Sequence, residues 1–252
     1  MKKINKLLGS VEITLTLSVI LYIACLIPVH TVKRLTDSEL MLRYGTPCLY
    51  DVIMEISVFA LWKYILPIVL FYILYLLKYE LNSAVVIRMK SVRTIWISLQ
   101  KNIVCSSFFF SLYITIITFI EGYFMTGEIC NWNDTNSKAY EIVMRPLSNI
   151  PELWEITIAY AVGIYTALYV SSTILMYIWW LTDKSWLGYM VAICILTIEN
   201  LCKKGYLYRY YTFSMAYYEG INVYTNILYP LALSIVLMLI TPFIIRRKDF
   251  LK

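Results

Sequence analysis

Long apolar runs separated by short polar clusters set the pattern of this chain. Read as helices, the runs predict six membrane spans, at about residues 12–30, 56–77, 103–125, 153–181, 186–201 and 227–245. Most reach the ~20 residues that an α-helix needs to cross a bilayer core. The fifth is short and ends in the polar pair Glu199-Asn200. The fourth is longer than a vertical crossing requires, which predicts a tilt or an extension beyond the hydrocarbon. The runs are continuous, not alternating, and too long for the ~10-residue strands of a membrane barrel. Backbone exposed to lipid must satisfy its own hydrogen bonds. The expected fold class is therefore all-α, a polytopic membrane protein with six transmembrane helices in a single domain over residues 1–252.

One stretch breaks this pattern. Between the second and third spans, residues 79–101 are both basic and amphipathic. Leu81, Val85, Met89, Val92, Trp96 and Leu99 recur at steps of three and four, which places them on one helical face. Asn82, Ser83, Lys90, Arg93, Thr94 and Lys101 fall away from it. Such a helix could lie on anionic membrane lipid or dock on a soluble partner, and the segment alone fits both.

Composition agrees with a membrane setting. Hydrophobic residues make up 60% of the 252-residue chain and charged residues 15%, against ~25% charged in soluble domains. Basic residues fix an expected orientation. With the first residues inside, thirteen Lys and Arg fall in cytoplasmic pieces and eight in outer ones, with Lys63 inside a span. That excess places both termini in the cytoplasm; Lys203-Lys204 is the main dissent. The basic start, Lys2-Lys3 and Lys6, would suit a signal peptide, but the apolar run goes on too long and no Ala-x-Ala site follows. The net charge of +6 is accounted for by the inner membrane surface, and no nucleic-acid-binding module is visible.

The same topology leaves three outer loops, at residues 31–55, 126–152 and 203–226. The second holds the turn-rich tract Asn131-Trp132-Asn133-Asp134-Thr135-Asn136. The third is rich in tyrosine, which favours the headgroup layer. Cys48 lies in the first loop and Cys130 in the second. Facing an oxidising exterior, they are expected to form a disulfide. Cys25, Cys105 and Cys194 fall in or at spans, where buried thiols are ordinary.

Catalytic chemistry finds little support. His30 is the single histidine. No Gly-rich phosphate loop precedes a helix, no His-Glu-x-x-His pair appears, and no Cys/His cluster has zinc-site spacing. Lys63 lies about two turns into the second span, close enough to snorkel outward, and Glu121 and Glu155 lie near the outer ends of the third and fourth, which argues against a proton pathway built on deep, paired acids. The expectation is a protein that is not an enzyme and carries no cofactor or metal of its own.

Six spans, two cytoplasmic termini and a basic segment after the second span resemble the ABC-2 class of transporter permeases, the type V exporter fold. Glu80, Arg93, Trp96 and Lys101 stand in the order of that family's acidic residue, basic stretch, aromatic and lysine before the third span. The family's usual Gly and Pro are missing here. The tail Arg246-Arg247-Lys248-Asp249-Phe250 is similar to the short basic-acidic end of these permeases. The resemblance implies a permease subunit of a bacterial plasma-membrane exporter, paired with a second permease and with a dimer of ATPase subunits that carry the ATP and Mg. It also implies an amphipathic coupling helix over residues 79–101, in which Glu80, Arg88, Lys90, Val92, Arg93, Trp96 and Lys101 contact the ATPase. The expected cargo is an amphipathic peptide, lipid or drug-like molecule. The alternative is a stand-alone membrane immunity or sensor protein that binds a peptide through its outer loops.

Overall fold

Apolar residues at every turn, with few breakers, dictate helix along this chain, and helix is what forms. The computed structural model describes residues 16–26, 45–81, 91–138, 140, 150, 152–201 and 223–245. Among them no strand occurs; one isolated parallel bridge joins Thr46 to Ser137. The elements are α1 (Thr16–Leu26), α2 (Leu49–Glu55), a π-helical stretch (Ile56–Ile65), α3 (Leu66–Glu80), α4 (Val92–Thr126), α5 (Leu153–Thr182), α6 (Ser185–Leu201) and α7 (Val223–Ile245). The segments around Ala60–Lys78, Val92–Thr126 and Leu153–Thr182 are long and apolar enough to cross a membrane. Thr16–Leu26, Ser185–Ile195 and Leu231–Ile240 are shorter apolar stretches within helices. The protein is helical and has the character of a membrane-embedded chain.

Two boundaries differ from those expected from hydropathy. Helix begins at Leu49, not near residue 56, so part of the expected first loop is helical. The reason is a cap: the Asp51 carboxylate accepts the Cys48 backbone N–H at 2.8 Å, satisfying a donor that the helix itself cannot. The π turns that follow end two residues before Pro67. Pro67 has no N–H to donate and its ring crowds the preceding turn, and π turns are a usual place for a helix to absorb such crowding. The second difference is at α4. The expected amphipathic helix and third span are not separate between Val92 and Lys101; one 35-residue helix runs through both. Ser91 starts it, accepting the Thr94 N–H on Oγ at 3.1 Å, and no glycine or proline interrupts it before Gly122. It stops at Gly127, whose φ of +72° is the left-handed geometry of a helix C-terminus.

The described chain forms two compact units. One comprises Met1–Ile68 and Ile116–Leu147, the other Val69–Thr115 and Ser148–Lys252. Leu21, Cys25, Val52, Ile53, Leu61, Ile65 and Trp132 are buried in the first, and Leu70, Ile73, Leu77, Leu99, Ile103, Leu168 and Leu175 in the second. In the second unit α5 packs closely on α6 and α7. The α5–α6 turn is Asp183-Lys184, with Asp183 at φ +59°. A Cβ on Gly188 would meet the Leu175 carbonyl oxygen at 2.6 Å, so only glycine lets the two backbones approach this far. On α4, Phe108, Phe109, Leu112, Ile116, Ile120 and Phe124 stand exposed, Phe124 by 81%. An apolar face of this extent is costly in water and costs nothing against acyl chains.

Candidate functional site

Seven residues were expected to meet a partner. Arg88 and Lys90 lie outside the described residues. Glu80 is the last residue of α3. Val92, Arg93, Trp96 and Lys101 all lie on the first three turns of α4. Arg93 and Lys101 are exposed and Val92 is half-buried. Trp96 is different. It is 2% exposed, stacks on Tyr177 at a ring-centroid distance of 5.6 Å, and meets Trp180 edge-on at 4.9 Å. Its ring is spent inside the protein, where such aromatic pairs add ~0.5–1.5 kcal/mol beyond burial. The exposed charges beside it, not the indole, are what α4 offers outward.

Tyr177 carries this contact further. Its hydroxyl donates to the Leu237 carbonyl oxygen at 2.6 Å, so α4, α5 and α7 are linked through one side chain. Below the aromatic cluster α4 and α5 run antiparallel along a polar seam. Tyr169 donates to Gln100 Oε1 at 3.4 Å, and Ser111 donates to the Ala161 carbonyl oxygen at 2.6 Å. Ser107 and Thr115 share the Ser111 face of α4 at i−4 and i+4. Their hydroxyls, and the Trp96 Nε1, are buried without a hydrogen-bond partner among the described residues. Other buried hydroxyls bond back to the preceding turn, Thr166 to Val162, Ser171 to Ala167 and Ser172 to Leu168, which is the cheap solution in a helix. The seam is therefore the polar face of an otherwise apolar interior. Hydropathy averages over it, and only the i, i+4 recurrence of 107, 111 and 115 marks it in the sequence.

The second feature is a cap in the first unit, built by residues 45–51 and 127–138. Thr46 N–H donates to the Asn136 carbonyl at 2.7 Å, Lys138 N–H to the Thr46 carbonyl at 3.2 Å, and Leu49 N–H to the Glu128 carbonyl at 3.0 Å. Asn131 Nδ2 donates to the Thr46 carbonyl at 2.9 Å. Asp51 is 1% exposed; besides capping α2 it accepts the Trp132 Nε1–H at 3.3 Å. Trp132 in turn meets Tyr50 edge-on at 5.3 Å. The tract 131–136 is thus a turn tied to residues 46 and 51 through Asn131, Trp132 and the Asn136 carbonyl, with the side chains of 133–136 exposed.

Cys48 and Cys130 lie side by side in this cap, as expected, but not as the expected disulfide. Both are thiols, joined by a side-chain hydrogen bond. Packing brings the sulfurs together; bonding them also requires removal of two electrons, which packing does not supply. The pair is asymmetric. Cys48 is fully buried and Cys130 half-buried. The hydrogen bond to Cys130, burial, and the nearby Asp51 charge raise the Cys48 thiol well above its ordinary value. The Cys48 thiol, and to a lesser extent the Trp132 backbone N–H, hold Cys130 below its ordinary value. Loop placement alone pairs the two cysteines, whereas the Asp51–Trp132 contact that holds the loops together is not marked by either loop's composition. The Cys48-x-x-Asp51 spacing of a capping box was the available signal.

Among the described residues no grouping of three or more His, Cys, Asp and Glu could hold a metal ion. Compared with known families, curated proteins and solved structures, the chain matches none.

Proposed function

We propose that this chain is the membrane-spanning permease subunit of an ATP-driven exporter, of the ABC-2 class that its residue order resembles. In this reading it works as a pair with a second permease, beneath which a dimer of ATPase subunits binds ATP and Mg. The observation that carries the proposal is the continuity of α4. Its 35 residues at ~1.5 Å each give a rod of ~52 Å, against a hydrocarbon core of ~30 Å. A helix of that length cannot lie wholly within the core unless strongly tilted. Its first turns, with exposed Arg93 and Lys101, would extend into the cytoplasmic interface. A push there has no hinge to absorb it, because no glycine or proline lies between Val92 and Ile120.

Such a push would reach the membrane interior through Trp96. That ring bears on Tyr177 and Trp180 of α5, and Tyr177 bonds to α7. Displacement of α4 therefore repacks three helices together, the kind of bistable interface that switching needs. The seam of Ser107, Ser111 and Thr115 would supply polar groups that can exchange partners as α4 shifts. Amphipathic cargo suits an apolar interior with such a seam.

The test is purification of the native assembly from its own membrane. An ATPase bearing Gly-x-x-x-x-Gly-Lys-Ser/Thr should co-purify in stoichiometric amount, and reconstitution should stimulate its hydrolysis. A chain that purifies without any ATPase, yet protects cells or binds peptide, would sink the proposal. That outcome would favour the second reading, an immunity or sensor protein. One observation speaks for it: the 45–51/127–138 cap is a built structure around buried Asp51, not a bare connection.

A further inference from the structure

We infer that Cys130 and Cys48 form a redox-active dithiol, in which Cys130 takes up the incoming disulfide and Cys48 resolves it. The inference does not depend on the permease proposal, and it concerns a part of the chain that the proposal leaves unused.

Geometry carries it. The backbone hydrogen bond from Leu49 to Glu128, the Asn131–Thr46 bond and the Trp132–Asp51 bond hold the two cysteine-bearing segments side by side from three points. The thiols between these points touch through a hydrogen bond. Oxidation thus joins two thiols that the fold already holds in contact. Access differs between the two sulfurs: Cys48 is 0% exposed, while Cys130 keeps part of its surface open. A disulfide approaching from solvent can reach only Cys130. The electrostatics run the same way, since Cys130 is the thiol held below its ordinary pKa, and the thiolate is the attacking form.

The substrate class is a small or exposed disulfide, R–S–S–R. The Cys130 thiolate attacks one of its sulfurs, forming Cys130–S–S–R and expelling RS⁻, which takes up a proton. Cys48 then loses its proton and attacks the Cys130 sulfur, expelling the second RS⁻. The protein gains one disulfide and loses two electrons and two protons; the substrate is reduced to two thiols. The product staples the start of α2 to the loop after α4. The hydrogen bond to Cys130 and burial keep Cys48 a thiol at rest, so the resolving step is the one that waits on the mixed disulfide.

The experiment uses the full chain, reduced and purified in detergent, with oxidised glutathione as the probe. After an acid quench, peptide mapping without reduction should show the Cys48 and Cys130 peptides cross-linked, with no lasting glutathione adduct on either. In Cys48→Ser, a glutathione adduct should accumulate on Cys130. In Cys130→Ser, Cys48 should react at least tenfold more slowly than Cys130 does in the unsubstituted chain. Wild-type protein that leaves both thiols free, or Cys48 reacting as fast without Cys130 as the pair does with it, overturns the inference. Should either variant fail to fold, timed alkylation of the wild type decides instead: Cys130 should be labelled before Cys48, and the reverse order overturns the assignment. Peptide mapping separates both from Cys105 and Cys194. Loss of ATPase co-purification would leave these results untouched, so the two proposals fail separately.

Discussion

The indole of Trp132 donates its Nε1–H to the carboxylate of Asp51 across 3.3 Å, joining residues 81 apart in the chain. The same carboxylate caps α2 through the Cys48 N–H. One buried side chain thus starts a helix and anchors the loop that covers it. Asp51→Ala leaves two buried donors without their acceptor, at ~1–3 kcal/mol per unmet group. The expected outcome is a clear fall in the unfolding midpoint, with new proteolytic cleavage within residues 127–137. Trp132→Phe, which keeps the edge-on contact with Tyr50 and leaves one buried acceptor unmet, should cost ~1–3 kcal/mol, less than Asp51→Ala. Equal midpoints for Asp51→Ala and the wild type would refute this account of the cap.

Gly45 and Gly127 both have positive φ, +65° and +72°, but their surroundings differ. A Cβ on Gly45 would lie 2.6 Å from the Ser137 backbone carbon, while one on Gly127 meets nothing within 4 Å. Gly127→Ala should therefore cost ~1–2 kcal/mol, the strain of the left-handed conformation alone. Gly45→Ala adds a clash with backbone and should break the Thr46–Ser137 bridge. Thermal unfolding in detergent should rank Gly45→Ala well below Gly127→Ala. The reverse ranking would mean that the bridge does not hold the loop.

Ser107 and Ser111 are buried one turn apart on α4. Ser111 bonds to the Ala161 carbonyl, and Ser107 has no partner among the described residues. Ser111→Ala should weaken the α4–α5 contact by ~0.6 kcal/mol, a usual value for hydrogen bonds between membrane helices. Ser107→Ala removes a polar group that gains nothing where it lies, and should be neutral or stabilising. Denaturant titrations of both variants measure this directly. A larger loss for Ser107 than for Ser111 would show that its hydroxyl is engaged.

Arg93 and Trp96 separate coupling from folding. Trp96→Ala opens a cavity against Tyr177 and Trp180 and should cost ~3–5 kcal/mol, as large-to-small aromatic changes do. Arg93→Glu changes only an exposed side chain, so stability should stay within ~0.5 kcal/mol. If α4 receives input from an ATPase, Arg93→Glu should nonetheless reduce ATPase stimulation in the reconstituted assembly. Unchanged stimulation would remove Arg93 from the coupling surface.

Much of the helix plan was legible because hydropathy reads a one-dimensional quantity. The span expected at 153–181 became Leu153–Thr182, and that at 186–201 became Ser185–Leu201. The starts of α2 and α4 were misplaced because a cap, not hydropathy, decides where a helix begins. Asp51 and Ser91 are polar residues that a window average counts as loop, yet each meets backbone donors that the helix leaves open. Trp96 shows a further limit. Its spacing put it on an amphipathic stripe, and a stripe does not say what covers it. Tyr177 and Trp180 cover it, some eighty residues away, and no local pattern points to them.

The chain by itself determined its helical, membrane-seeking character. That follows from 60% hydrophobic and 15% charged residues arranged in runs of about twenty, a property of each segment taken alone. It also placed Cys48 and Cys130 in loops that could meet. Tertiary structure alone decided which polar groups find partners. It buries Asp51 with Trp132, gives Ser111 an acceptor, and sets one cysteine inside and the other half-open to solvent. The physical reason is that burial and hydrogen bonding depend on distances between segments remote in sequence, whereas hydropathy depends on neighbours along it.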